Sequence, residues 1–436
     1  MEHCLICEGL RGQPAVDCGE IFWSRPEVRR ALARQEAVAL IRLARKLVPH
    51  LRQGRLASLL GISQSAVSRI EAGRLGVKNP AQVLAVLRPP DQTHEESRQL
   101  LSHASQVAVG AAEIDPTTWV LPAAPAAPAD PRGVHAHDVD QVEATTRLLR
   151  ATDHQWGSGA CAHLIDAHLH HTLGLLRRAR PGPVTERLYR ASADLHNLAG
   201  WVSLDLGHYG RARLVWARAL EQAQHVGSAS LVANLCYRIG RLYLHQHMPD
   251  RARSAFQLGQ IPAAKISCQV TAALLHANEA WAHATAGQEE HCLRSLGQAR
   301  DAFDRANGTT PSESWLTFFA ETDLEALTGV AYSALPSSSP RHTRAIEHLE
   351  RAMSRRGPDM TRSHVFELTA MGTVHLAAGD REEGHQAAEQ ALALARQVRS
   401  QRVLDRLEPL QRAAAAHTDS HSRDLAEAIA KLRTHE

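Results

Sequence analysis

Gln64, Ser65, Ser68 and Arg69 lie close together on the chain and carry amide, hydroxyl and guanidinium groups. Amides and guanidinium forks are the side chains that read adenine and guanine edges in pairs of hydrogen bonds. A second set, His3 with Cys4, Cys7 and Cys18, forms a Cys-x2-Cys plus a third thiol that could hold zinc or undergo oxidation. His3 adjoins Cys4 and cannot easily complete the tetrahedron, so a metal-free N-terminus is expected. A third set is His163, His168, His170 and His171 with Asp166. It lacks the His-Glu-x-x-His arrangement, and such residues on a long polar helix are usually solvated. A phosphate-binding glycine loop, a nucleophile elbow and a supported Ser/His/Asp spacing are also missing. The expectation is a protein that is not an enzyme and needs no cofactor.

The polar edge needs elements to hold it. It belongs to the stretch Gln53 to Gly73, QGRLASLLGISQSAVSRIEAG. Leu56, Ala57 and Leu60 give one short helix an apolar face, and Gly61 allows a turn. Ser63 can cap a second helix, whose core side is Val67 and Ile70 and which Gly73 ends. Ala66 is small enough for the first helix to cross closely. Upstream, Val28, Leu32, Val38, Ile41, Leu43, Leu47 and Leu51 predict helical structure, broken near Pro49. Charge is concentrated in the same region. Residues 25–88 hold 13 Lys/Arg against Glu27, Glu36 and Glu71, so the formal net of +3 hides a basic unit on an acidic remainder. Such a unit suits a polyanion such as double-stranded DNA.

These residues resemble the phage-repressor-like (XRE, or Cro/C1-type) helix-turn-helix domains over about residues 25–108. The match rests on Gln53, on Ala57 and Gly61, and on the run from Ser63-Gln64 to Ile70-Glu71-Ala72-Gly73. The resemblance implies a five-helix DNA-binding domain, with Asn79 to Leu87 as fourth helix and Asp91 to Val107 as fifth. It places Gln53 and Arg55 near phosphates, Ser63 at the cap, Gln64, Ser65, Ser68 and Arg69 near bases, and Arg74 and Lys78 at the backbone beyond.

Beyond this unit, residues 115–134 contain five prolines separated mostly by small residues, which no regular helix or strand can cross. Past residue 138 the periodicity is helical almost throughout. Small residues recur in triplets with spacings of 12 and 7: Gly200, Ala212, Ala219; Gly240, Ala252, Gly259; Ala280, Cys292, Ala299; Gly372, Gly384, Ala391. A fifth set, Gly329, Ala345, Ala352, fits with four residues inserted near Pro336 to Pro340. Antiparallel helices need small residues where their axes approach, and tight turns such as Leu206 to Tyr209, Ala286 to Gln288 and Ala378 to Asp380. The pattern resembles tetratricopeptide repeats (TPR), although starts recur at 40, 40, 49 and 43 residues. That resemblance implies an α-solenoid whose concave wall carries Asp194, Asn197, Trp201, Asn234, Tyr237, Arg241, Leu274, Trp281 and Asp323, facing a peptide, small-molecule or protein effector.

The expected organisation is all-α: an N-terminal extension at 1–24, a helix-turn-helix domain at 25–110, a Pro/Ala-rich linker at 111–136, and a TPR-like body with capping helices at 137–436. No apolar run approaches the ~18 residues of a membrane span, and Met1-Glu2-His3 lacks the basic start of a signal peptide. Seven thinly spread cysteines do not make a disulfide framework. A cytoplasmic location is expected. Head and body together resemble bacterial one-component transcriptional regulators, which implies a homodimer on an operator. The alternatives are a TPR scaffold or adaptor with a vestigial head, and a metal- or redox-gated regulator using Cys4, Cys7 and Cys18.

Overall fold

The computed structural model describes residues 36–47, 53–60, 62–77, 92–109, 133–306, 315–357 and 360–434, with the single positions Arg25, Glu27, Val28, Ala31, Leu51, Val83 and Glu313. Every regular element among them is helical, and none is long and apolar enough to cross a membrane. The chain divides into two compact units, 1–97 and 98–436.

In the first unit, α1 (Ala37–Leu47), α2 (Gln53–Leu60) and α3 (Gln64–Glu71) surround one core. Its buried side chains include Leu40, Ile41, Ala44, Leu56, Leu60, Val67 and Ile70. Val38, Leu43 and Leu47 are only half-buried, whereas Ala37, Leu40 and Ala44 are fully covered. The inward stripe of α1 thus includes alanines, where helices approach closely, and alanine gives a weak apolar signal. The Ile62 N–H returns to the Ala57 carbonyl at 3.0 Å, which ends α2. Ser63 is extended, and its Oγ accepts the Ala66 N–H at 3.2 Å, which starts α3. Gly73, at φ +73°, lets the Arg74 N–H close on the Arg69 carbonyl at 2.8 Å. Of the expected fourth helix, only Val83 lies within the described residues, and it is buried.

The expected fifth helix is α4 (Gln92–Val109), and the division between units falls within it. Its residues from Arg98 onward belong to the second unit. There Leu100, Ala104, Val107 and Ala108 are buried in the same cluster as Leu220 and Ala223, and His103 faces Glu221 at 3.3 Å. Residues 110–132, most of the expected linker, lie outside the described residues.

The second unit continues with α5 (Ala136–Trp156), a 3-10 turn at Ser158–Ala160 and α6 (Ala162–Arg178). Helical hairpins follow: α7 (Pro183–Asp205) with α8 (Tyr209–His225), α9 (Ala229–His245) with α10 (Pro249–Lys265), and α11 (Gln269–Thr285) with α12 (Glu289–Arg305). Next come α13 (Glu321–Ser333) with α14 (Arg344–Arg355), then α15 (Thr361–Ala378) with α16 (Arg381–Ala395). The first helices of successive hairpins touch in order, from α7 to α15.

Helices α8 to α12 are each 17 residues long and joined by three-residue turns, so one structural step takes 20 residues. Each turn has a left-handed residue at the same register: Gly207, Gly227, His247, Ser267 and Gly287. The next N–H then reaches back five residues, as from His208 to the Ser203 carbonyl at 2.8 Å and from Met248 to Tyr243 at 2.9 Å. Two of the five positions, His247 and Ser267, are not glycine, so those two turns carry no glycine signal in the sequence.

The small-residue triplets are the hairpin contacts. A Cβ on Gly200 would lie 2.3 Å from Trp216, and one on Gly240 would lie 2.2 Å from Phe256. Both bulky partners sit 16 residues downstream, on the second helix of the hairpin. At Gly329 the partner is Leu349, displaced by the four-residue insertion.

The C-terminal residues do more than cap. The six-residue α17 (Gln401–Arg406) touches both α15 and α7, so it bridges late and early parts of the coil before α18 (Glu408–Ala415) and α19 (Ser420–Thr434) cover the end.

Substituting Gly240→Ala forces the Phe256 ring to move and is expected to cost about 1–3 kcal/mol. Ser267→Gly relieves a left-handed L-residue and is expected to add about 1 kcal/mol. Urea denaturation of the two variants beside the parent chain checks both signs.

Candidate functional sites: a polar helix edge and an arginine-lined cavity

Helix α3 is held from three sides. Val67 and Ile70 are buried, Arg42 Nη2 donates to the Ile70 carbonyl at 3.3 Å, and Arg45 Nε donates to Glu71 Oε1 at 2.8 Å. Glu71 Oε2 accepts the Gln53 side-chain amide, and Arg45 also donates to the Leu51 carbonyl. Glu71 therefore ties α3 to both α1 and α2. With the inner face fixed, Ser63, Gln64, Ser65, Ser68 and Arg69 are exposed along one edge, and Arg74 is exposed just beyond it. Arg69 Nε rests on the Ser65 carbonyl at 3.3 Å, and Ser63 and Ser65 share a hydroxyl contact at 3.0 Å. Gln53, expected near phosphate, is half-buried and donates to Glu71 instead. Arg55 falls on α2, while Lys78 lies outside the described residues, as do Cys4, Cys7 and Cys18.

The second site lies inside the coil. Two adjoining cavities of about 370 and about 150 Å³ share Arg241, Val330, Phe366, Arg402 and Arg406 in their walls. Trp201, Tyr237, Leu274 and Asp323 line the smaller cavity, Trp281 lines the larger, and Arg241 lines both. Asp194, Asn197 and Asn234 do not line either one. Asp194 pairs with Arg150 at 2.6 Å, Asn197 donates to Asn234 at 2.9 Å, and Asn234 donates to the Trp315 carbonyl at 3.4 Å. These three side chains are buried in packing between elements of the body.

An ionic knot closes the coil. Asp153 of α5 and Asp205 of α7 are fully buried. Arg362 of α15 donates to Asp153 and to Asp205, each at 3.2 Å, and Arg402 of α17 donates to Asp205 at 2.9 Å. Burial pushes Asp153 up, but Arg362 and the Ser158 hydroxyl outweigh it and hold the carboxyl below its ordinary value. Nearby, Asp405 is tied to His245 at 2.9 Å, Tyr209 at 3.0 Å and Gln401 at 2.8 Å. Arg356 binds Glu367 at 2.7 Å and Asp323 at 3.2 Å. Burial still pushes Glu367 up to about 7.

Other arginines rest on aromatic rings. Arg238 and Arg402 lie 4.0 and 4.4 Å from the Trp201 ring, while Arg241 and Arg406 lie 4.7 and 4.6 Å from Trp281. Burial pulls Arg238 and Arg402 down to about 10, and it lowers Arg241 and Arg406 as well. Sequence reasoning found Arg241 and its ring Trp281 but missed Arg238, Phe366, Arg402 and Arg406. The last two lie on a helix too short for periodicity to assign a face.

The histidines of α6 are engaged separately. His168 Nε2 lies 3.1 Å from the Val142 carbonyl, His170 Nδ1 lies 2.8 Å from the Asp166 carbonyl, and the Asp166 carboxylate pairs with Arg211. Among the described residues no group of three or more His, Cys, Asp or Glu is placed to hold a metal ion. A scan against protein-family models finds no match to this chain, and a search of curated proteins finds none.

Arg362→Met leaves the buried Asp153 without its cation, while Asp205 keeps Arg402, and is expected to lower stability by about 3–5 kcal/mol in urea denaturation. The pH dependence has a defined sign at His196, which burial pulls down to about 4. The unfolded chain takes up that proton near 6.5, so the stability is complete above that pH and is lost as pH falls towards 4. The slope is about 1.4 kcal/mol per pH unit. Glu367 acts in the opposite sense, being raised, so the comparison of parent with His196→Gln between pH 7 and 5 isolates the histidine. The variant is expected to lose less stability over that interval than the parent does.

Proposed function

We propose that the chain is a DNA-binding transcriptional regulator: an XRE-type helix-turn-helix head binds operator DNA, and a TPR-like helical body dimerises and senses an effector. One observation carries this reading. The edge formed by Gln64, Ser65, Ser68 and Arg69 is exposed on a helix whose angle is fixed by Val67, Ile70 and Glu71, within a strongly basic region of sequence. A helix so held can lie in the major groove with its polar edge against the bases. Gln64 and Arg69 supply the two side chains suited to bidentate readout, and the two serines supply shorter contacts. Arg74, beyond the helix, suits a phosphate.

A homodimer would read two half-sites about 34–36 Å apart. Effector binding in the body would shift operator affinity by ~1–3 kcal/mol, the usual size of such coupling. Of the three effector classes, the dimensions of the internal cavities favour a small molecule.

Selection of bound sequences from a random duplex pool, followed by gel shift, tests the reading. Gln64→Ala and Arg69→Ala are each expected to weaken the selected site by about 10- to 100-fold, in line with ~1–3 kcal/mol per bidentate contact. Arg74→Ala is expected to weaken all sequences alike. Absence of any retention at low salt would overturn the regulator and leave a scaffold whose head no longer binds DNA.

A further inference from the structure

We propose that the larger cavity of the body binds an amphipathic anion, a small molecule with one carboxylate or phosphate head on a flat apolar body, and that Arg241 and Arg406 hold the head. The inference names the ligand class of the sensor cavity and so deepens the regulator reading.

It starts from an imbalance of charge. Arg362, Arg402 and Arg356 each have carboxylate partners. Arg238, Arg241 and Arg406 have none among the described residues. Arg241 has one neutral acceptor, Asn278 Oδ1 at 3.1 Å. Arg406 has, among the described residues, only the rings of Trp281 at 4.6 Å and Phe366 at 4.2 Å. Arg238 is 6% exposed, lines the adjoining cavity, and its Nε has no hydrogen-bond partner. Among the described residues, Asp405 is the only carboxylate in the larger cavity's wall. Its oxygens already serve His245, Tyr209 and Gln401. Several guanidinium groups therefore share a partly open cavity without a carboxylate, among the described residues, to balance each of them.

The geometry leaves them available to a ligand. A guanidinium stacked on a ring uses its face and keeps its edge N–H groups for an oxyanion lying in its plane. Arg241 and Arg406 lie 4.7 and 4.6 Å from the Trp281 ring centroid, and all three side chains line the larger cavity, so both guanidinium groups belong to one stretch of its wall. The remaining wall includes Leu244, Val330, Phe366 and Ala370, which is apolar and suits an uncharged body. Burial lowers the affinity of both arginines for their protons, and a bound anion would reverse that effect.

The test uses the full chain without DNA, so it can fail independently of operator binding. Calorimetric titration compares 2-naphthoate and 1-naphthyl phosphate with the neutral 2-naphthamide and with inorganic phosphate. At least one naphthyl anion is expected to bind tenfold or more tightly than the amide and than inorganic phosphate; whichever head binds better identifies the carboxylate or phosphate source. Arg406→Met and Arg241→Met are each expected to remove most of that preference. Because each variant deletes a half-buried charge with no carboxylate partner among the described residues, its thermal midpoint without ligand is expected to stay level or rise, which separates lost binding from lost folding. Equal affinity for anion and amide, no binding of either naphthyl anion at millimolar concentration, inorganic phosphate binding as tightly as naphthyl phosphate, or unchanged preference in both folded variants would each overturn the proposal.

Discussion

The body depends on one buried knot, in which Arg362 and Arg402 neutralise Asp153 and Asp205. These four residues come from α5, α7, α15 and α17, with up to 209 positions between partners. A stack of helical hairpins makes contacts mainly between neighbours and by itself fixes no distance between its ends. The knot supplies that distance. Small residues allow the approach: a Cβ on Gly159 would lie 3.0 Å from Arg399, and one on Gly207 would lie 3.1 Å from Gln401. Fully buried carboxylates without these arginines would be strongly unfavourable, so the knot enforces one closed geometry rather than adding much net stability.

Closure changes what the inner wall can do. An open solenoid offers an extended groove in which a polypeptide can lie. Here α17 bridges α15 and α7, and the inner wall lines two adjoining, partly open cavities instead. The regular 20-residue step brings Tyr237, Arg241 and Trp281 to the cavity walls, and α17 contributes Arg402 and Arg406 to the same walls. Regular repetition thus builds the wall, and a non-repeating segment completes the chamber.

How much of this could be read in the sequence follows from the range of each interaction. The turn and core of α2 and α3 were legible because caps, glycines and apolar spacing act within a few residues. The triplets of small residues were legible for the same reason, since each hairpin contact repeats at fixed separation. Glu71 was visible as part of a motif, but its grip on Arg45 and Gln53 was not, because it joins three helices. Asn197 and Asn234 had the type and register of groove residues, yet their amides meet each other. The helix expected to close the head, Asp91 to Val107, buries Leu100, Ala104 and Val107 within the second unit. An apolar stripe shows that a helix is packed without naming the surface it packs on. The role of α17 had no local signal at all, because Arg402 and Arg406 acquire meaning only from partners far away in the chain.

The two arginines of α17 connect closure to ligand chemistry. Arg402 belongs to the knot through Asp205, while Arg406, four residues on, has no carboxylate partner among the described residues and shares the Trp281 ring with Arg241. An anion held by Arg241 and Arg406 would tie α9 to α17 and so stabilise the same closed arrangement as the knot. It could shift the body's conformational balance only by the difference between its affinities for the closed and opened forms. Arg241 and Arg406 come from separate helices, so opening the coil would divide the site and reduce that affinity. A chamber completed by its closing helix would therefore couple occupancy by such an anion to closure through the same few charges.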